Sequence, residues 1–235
     1  MRTKLASMEI VLNHFLLSLK ERKKVADKKE RKIMSTDEMK RLYIKVAKEY
    51  YSRENRDFII DENNQNYLNL LCKYFSGDIE FETIHRGELR KGLLVIGNPG
   101  TGKSSSFKII QMISKNYRLQ SLWFPIVETK KVVEKFNVEK NKDSIIENYS
   151  IGTFCFDDLG SENEANNIHV WGSKEDIFIR ILENRYDEFI AKNTKTFITT
   201  NLSLIQIEKR YGSRVRDRFV SMFNLIELNG TSRRF

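Results

Sequence analysis

Four short stretches of this chain hold residues whose types and spacing suit phosphate chemistry. The first is Gly97-Asn98-Pro99-Gly100-Thr101-Gly102-Lys103-Ser104, which fits GxxxxGKS and directly follows the apolar run of residues 92–96. Glycines at these positions let successive backbone N–H groups converge and form a concavity that binds an anion. The amides of residues 100–104 are expected to cradle a β-phosphate, the Lys103 ammonium to reach the β and γ oxygens, and the Ser104 hydroxyl to ligate Mg²⁺. About one chain in a hundred of this length would match by accident at ordinary residue frequencies. A strand before the loop and a helix after it make accident rarer still. The loop is expected to hold a nucleoside triphosphate.

The second stretch, Gly152-Thr-Phe-Cys-Phe-Asp157-Asp158-Leu-Gly160, reads as an apolar strand that ends in two carboxylates. At the carboxyl edge of a sheet, beside the glycine-rich loop, Asp157 can bind Mg²⁺ through water and Asp158 can polarise an attacking water. Many ATPases carry Glu at the second position. Asp158 is one methylene shorter, which points to slow turnover. In the third stretch, Thr196-Phe-Ile-Thr-Thr-Asn201, β-branched residues end in an amide that can hydrogen-bond a γ-phosphate or orient the water. Its competing role is to cap the helix that follows. The fourth, Tyr211-Gly-Ser-Arg214-Val-Arg216-Asp-Arg218, puts Arg214 and Arg218 on one face of a helix and Arg216 on the other. Two guanidinium groups aimed one way can serve a phosphate held by another subunit, or pair with carboxylates nearby.

The elements that must position these residues alternate between strand and helix. Apolar residues at Ile10, Val11, Phe15, Leu16 and Leu19 have helical spacing within residues 7–30. Ser35 with Glu38 has capping-box spacing ahead of a second helix, expected over residues 36–53. The polar stretch 52–57 reads as a boundary between a small basic helical region, residues 1–57, and an α/β domain, residues 58–235. Beyond it, strands are expected at 92–96, 120–125, 151–157, 195–200 and 223–228, with helices at 62–75, 102–115, in pieces between 128 and 148, at 174–192 and between 203 and 221. Such alternation means a parallel sheet covered by helices on both faces.

Composition narrows the class. The chain has 235 residues, 40% of them hydrophobic, and a formal net charge of +9, which suits one large soluble domain plus a small appendage. Residues 1–60 hold 16 Lys/Arg against 9 Asp/Glu, a basic arm that can attract nucleic acid or an acidic protein surface. Two cysteines, Cys72 and Cys155, sit in apolar stretches and argue against a disulfide scaffold or a zinc site. No apolar run reaches the roughly 18 residues of a membrane span, so a cytoplasmic protein without membrane contact is expected.

Together, GNPGTGKS, CFDDLG, TTNLS and YGSRVRDRF resemble the AAA+ ATPases of the DnaC-type helicase loaders and the IstB-type transposition helpers, over roughly residues 58–235. The resemblance implies a P-loop AAA+ fold, ATP with Mg²⁺, and Asn201 as sensor 1. It also implies Arg218, with Arg214, as an arginine finger acting on the ATP of a neighbouring protomer. Arg233, near the end in Gly-Thr-Ser-Arg-Arg, resembles a sensor-like arginine that touches the nucleotide, and Arg185 matches a recurrent arginine without an assigned role. Only 34 residues follow Asn201, too few for the finger segment, a last strand and a helical lid, so no C-terminal lid is expected.

The implied function is that of an ATP-hydrolysing DNA replication protein. It would assemble as a homo-oligomer in its ATP state on DNA, single strands favoured, with a replicative helicase as partner. One alternative is a transposition helper that acts on duplex target DNA with a transposase; another is a nucleotide-gated adaptor with negligible turnover. A P-loop kinase would not need the last three stretches together. Residues 1–57 would then recruit a partner or bind DNA phosphates. Trp123, Phe124, Lys130 and Lys131 are weak candidates to line a single-strand path, with core packing the favoured role for the two aromatics.

Overall fold

The structure is a computed structural model, and it describes residues 34–162, 168–170 and 173–234. The helix expected over residues 7–30 lies outside the described residues. The chain enters through α1 (Thr36–Ser52), with Ser35 accepting the Glu38 amide as N-cap, and continues through α2 (Gln65–Ser76) and the short α3 (Glu80–Thr83). Strand β1 (Gly92–Ile96) then leads through the glycine-rich loop into α4 (Lys103–Asn116). After β2 (Ile126–Glu128) come α5 (Thr129–Val138), α6 (Lys142–Ser150) and β3 (Phe154–Leu159). A separate antiparallel pair, β4 (Ile168–Val170) and β5 (Ser173–Asp176), precedes α7 (Ile177–Lys192). The chain ends through β6 (Thr196–Thr200), α8 (Leu204–Tyr211), α9 (Ser213–Met222) and β7 (Phe223–Glu227).

Five strands form one parallel sheet in the order β2-β3-β6-β1-β7. Their residues are apolar on both faces because both faces are covered, and alternate side chains enter different layers. Leu93, Val95, Cys155 and Phe197 pack with α1, α2 and α4, whereas Leu94, Phe156 and Ile198 pack with α5 to α9. Phe197 sits among Phe75, Phe107 and Phe124 at ring-centroid distances of 5.4, 5.6 and 4.7 Å. That cluster fixes α4, and with it the loop before α4, against the sheet. Truncating Phe197 to Ala would cost about 3–5 kcal/mol.

Two expectations change. The strand expected over 120–125 is a 3₁₀ turn at Gln120–Leu122, and pairing begins only at Ile126. Pro125 has no N–H to give the ladder, so it stands just ahead of the strand, its carbonyl accepting the Cys155 amide at 2.9 Å. The division expected at residue 57 falls inside one core, because Met39, Tyr43, Val46 and Ala47 of α1 are buried with Leu93, Phe107 and Ile110. The polar residues 52–57 form the turn that brings the chain back onto that core. Both cysteines are free and buried, and burial pushes the Cys72 thiol up to about 12. Among the described residues, no helix is long and apolar enough to cross a membrane.

Candidate functional site

The order of the sheet brings the ends of β1, β6 and β3 side by side, and each carries one of the chemical stretches. Gly100 and Gly102 take positive φ values of 81° and 104°, which turn the loop so that α4 starts at Lys103. A β-carbon at Gly100 would also lie 2.3 Å from Ser232 Oγ. Thr101 closes the loop by donating to the Asn98 carbonyl at 2.9 Å. Lys103 turns back over it, its Nζ donating to the Gly97 carbonyl at 2.6 Å, the Asn98 carbonyl at 2.8 Å and Asn201 Oδ1 at 2.7 Å. Burial lowers the ammonium to about 8, against the opposing pull of the Asp158 and Asp157 carboxylates.

Asp157 and Asp158 close β3 in different ways. Asp157 is buried and accepts the Thr199 hydroxyl at 2.6 Å, and that same oxygen accepts the Asp158 amide at 2.9 Å. One threonine on β6 thus sets both aspartates. Asp158 has φ 61°, and the β3–β6 register shifts between Phe156 and Leu159 at this point. Short Asx side chains tolerate this left-handed conformation better than Glu does, which gives a backbone reason for Asp at the second position. The Asp158 carboxylate accepts from Asn201 Nδ2 at 3.1 Å, so Asn201 bridges Lys103 and Asp158. The helix after Asn201 is capped by Ser203, in a capping box with Gln206, which leaves the Asn201 amide to the cleft. Pro99, Gly100, Gly102, Lys103, Ser104, Asp157, Asp158 and Asn201 line one cleft of about 630 Å³.

No protein-family model and no curated protein sequence matches the chain. Solved structures do. A candidate primosome component from Streptococcus pyogenes serotype M3 superposes with a TM-score of 0.50 at 18% identity, over 74% of this chain and 85% of that one. The crystal structure of DnaI gives a TM-score of 0.50 at 18% identity, over 76% of this chain and 88% of that one. The chain shares the α/β fold of these two structures, a parallel sheet with helices on both faces.

Beside the cleft of Lys103 and Asp158 lies a second cavity of about 460 Å³, which shares Tyr51, Arg56, Gly102 and Arg233 with it. Aromatic residues of the segment before the P-loop, Tyr43, Tyr51, Phe58 and Tyr67, form much of its wall. Tyr51 stacks on Phe58 at 5.8 Å, and Arg56 lies 5.1 Å from the Tyr51 ring. The C-terminal segment passes over the loop. The Arg233 amide donates to the Gly100 carbonyl at 2.9 Å, and its guanidinium donates to Asp61 Oδ1 at 2.7 Å, which lowers the Asp61 carboxyl below its usual range. Arg233 therefore lies at the site, as does Arg234, whose charge adds to the lowering of Lys103. Residues after β7 through Arg234 form no helix.

The remaining arginines stand elsewhere. Arg214 and Arg218 do share a face, and both turn to Glu183 on α7, at 3.5 and 2.8 Å, rather than to their own chain's cleft. Arg216 lies 3.9 Å from Glu208. Arg185 is 1% exposed and serves the fold: it donates to Thr196 Oγ1 and to the carbonyls of Tyr149, Gly152 and Lys195. It ties α6, β3, β6 and α7 together, and burial lowers its guanidinium to about 10. Phe124 is core and Trp123 is exposed at its side, while Lys130 and Lys131 both lie near Glu128. Sequence reasoning missed Arg56 and Asp61, which carry no motif, and Glu162, whose signal was its place two residues after Gly160.

The hydroxyl of Ser104 and the carboxylate of Asp157 form a hard-oxygen pair in the cleft, which fits Mg²⁺, an ion held by one or two carboxylates together with substrate phosphates and water. Among the described residues no group of three or more His, Cys, Asp or Glu forms a metal cage by itself.

Proposed function

We propose that this protein binds and hydrolyses ATP. The observation that carries the reading is the convergence of Lys103, Ser104, Asp157, Asp158 and Asn201, from the ends of three adjacent strands, on one cleft. In it the loop amides of residues 100–104 receive the β-phosphate and Lys103 exchanges its carbonyl acceptors for phosphate oxygens. Mg²⁺, held by Ser104 and water-bridged to Asp157, would neutralise charge on the β and γ phosphates. Asp158 orients the attacking water and accepts its proton, and Asn201 holds Asp158 in place while its amide faces the γ-phosphate. The aromatic cavity beside Gly102 takes the base, with Tyr51 and Phe58 as its flat wall and Arg56 reaching both cavities.

The biological setting we propose is DNA replication, as a DnaC-type loader that assembles with itself and a replicative helicase on single-stranded DNA. The shared fold with DnaI and the primosome component supports it. So does an exposed face at the far end of α4, where Lys115 Nζ lies 4.7 Å from the Trp123 ring and Lys45 lies 5.9 Å from the Tyr117 ring. Residues 115–123 and 41–48 together hold five Lys/Arg and no acid. Aromatic rings among cations suit unpaired bases and their phosphates.

The test is steady-state ATP hydrolysis by the full chain without DNA, with single strands and with duplex, over a range of protein concentration, beside Lys103→Ala. Stimulation by single strands that steepens with concentration is the expected result. Stimulation by duplex alone would favour the transposition helper. Nucleotide binding abolished by Lys103→Ala, with a low rate indifferent to DNA, would make the protein a nucleotide-gated adaptor.

A further inference from the structure

Glu162 is 2% exposed, lies outside the phosphate cleft, and accounts for none of the chemistry assigned above. Its carboxylate accepts the Gly160 amide at 2.9 Å through Oε2 and the Tyr211 hydroxyl through Oε1, with Arg210 Nη2 3.2 Å from Oε1. Arg210 in turn donates to the Gly160 carbonyl at 2.7 Å and to the Glu162 carbonyl at 2.6 Å. Both backbone groups of Gly160 are therefore held by one ion pair. Gly160 closes the turn that starts at Asp158: Ser161 N–H donates to the Asp158 carbonyl at 3.0 Å, and the two residues have φ 99° and 61°.

The same pair reaches the other parts of the site. Arg210 and Tyr211 end α8, the helix that begins just after Asn201, and Gly212 leads from them into α9, which carries Arg214 and Arg218. The α-carbon of Gly160 is packed against Leu202, where an added β-carbon would meet the side chain at 2.5 Å. Burying a carboxylate and a guanidinium costs desolvation that two apolar side chains of the same volume would not incur. What the charged pair supplies is direction. It fixes the carbonyl and the amide of one glycine, in a turn whose first residue must aim a carboxylate while strained. Burial beside the carboxylate raises the Tyr211 phenol well above its ordinary range, so it remains a donor.

We propose that Glu162, with Arg210 and Tyr211, is a positioning clamp that sets Asp158 against Asn201 and ties the acidic turn to the helix carrying Arg214 and Arg218. This rests on the ATPase reading above. The clamp touches neither nucleotide nor metal, and it acts through the Asp158–Gly160 turn.

The test compares wild type, Tyr211→Phe and the double variant Glu162→Leu/Arg210→Met. The double variant replaces the buried ion pair by apolar volume and so keeps the fold where a single change would strand a charge. Measured are thermal midpoint, kcat and KM for ATP, and affinity for a fluorescent ATP analogue in EDTA and in Mg²⁺. The expected result is a midpoint near wild type for both, with analogue affinity in EDTA and the gain in affinity that Mg²⁺ gives each within about twofold of wild type, because Ser104 and Asp157 lie outside the clamp. Removing a supporting hydrogen bond at such remove lowers activity about 10–100-fold, so kcat should fall by that range in the double variant and at its lower end in Tyr211→Phe, with KM little changed. Wild-type kcat in the double variant would make the pair a purely structural feature while the ATPase reading stood. A wild type that binds no analogue would remove that reading and the clamp with it.

Discussion

The Lys103 ammonium donates to the amide oxygen of Asn201 at 2.7 Å, across the gap between the P-loop and the end of β6. A lysine has three N–H donors, and here all three are used, the other two on the loop carbonyls of Gly97 and Asn98. A triphosphate must displace at least one of these acceptors. Asn201 is the one that also holds Asp158, so phosphate arrival and the aiming of Asp158 share a side chain. Asn201→Ala should lower kcat roughly a hundredfold, the scale of one lost polar group at a developing charge, and change analogue affinity only a few-fold. A rapid-quench time course beside equilibrium binding checks this; equal losses in both would make Asn201 a binding residue only.

Lys103 gives the site a pH dependence. Its ammonium is lowered to about 8 by burial in the nucleotide-free protein, and phosphate favours the charged form, so binding raises it again. The sign follows: below about 8 the lysine is already protonated and affinity is flat, whereas above it binding must take up a proton. Affinity should then fall by up to about tenfold per pH unit. Calorimetry in two buffers of different ionisation enthalpy should show proton uptake at pH 8.5, and Lys103→Arg should show none. Affinity that is level from pH 7 to 9.5 would contradict the lowered lysine.

Asp158 occupies a backbone conformation that favours it over the longer acid. Asp158→Asn should keep the fold and remove turnover, since Asn tolerates φ 61° as well as Asp does. Asp158→Glu should lose stability by roughly 1 kcal/mol, the cost of a bulkier residue in the left-handed region, and should not speed hydrolysis. Thermal midpoints and kcat for the pair decide it. A faster Asp158→Glu enzyme would show that the short side chain, and not the turn, limits the rate.

The elements that carry the candidate site were legible in the sequence wherever they rode on a local pattern. The P-loop context, the strand before Asp157 and the strand before Asn201 all stand where periodicity places them, because buried parallel strands leave an unbroken apolar run between polar ends. What the sequence hid was contact across distance. Arg56 and Asp61 reach the site only because α1 and its turn fold back beside Gly102, and Arg233 meets Asp61 across most of the chain's length. Arg185 had no role assigned from the sequence and is a buried brace, since four acceptors from separate segments meet around it without any signal in one of them. The polar run 52–57 looked like a linker because a surface turn and a linker have the same composition.

That turn changes what a truncation tests. Removing residues 1–57 would strip Met39, Tyr43, Val46 and Ala47 from the core and Tyr51 and Arg56 from the site, so the remainder should aggregate or lose analogue binding. Removing residues 1–33 keeps every one of those core and site residues, so it should leave the thermal midpoint within about 4 °C and basal hydrolysis within about twofold, and abolish helicase recruitment in a pull-down. Full recruitment by the shorter deletion would move the partner site onto the described domain.

Arg214 and Arg218 face Glu183 in a single chain and line no part of its cleft. A finger used in trans needs this placement, because a head-to-tail assembly brings one surface of a protomer against a different surface of the next. Arg218→Ala should therefore leave analogue binding by the monomer intact and remove the concentration-dependent part of hydrolysis. Mixing it with Asp158→Ala protein supplies the decisive case. Where an Arg218→Ala protomer lends its nucleotide and an Asp158→Ala protomer its arginine, the shared site is wild type, and random 1:1 assembly makes about a quarter of all interfaces so. Two inactive proteins should regain roughly that fraction of wild-type activity in steady-state turnover. If co-assembly is verified by cross-linking and no activity returns, Arg218 acts within its own chain or not at all, and its bond to Glu183 is the whole of its role.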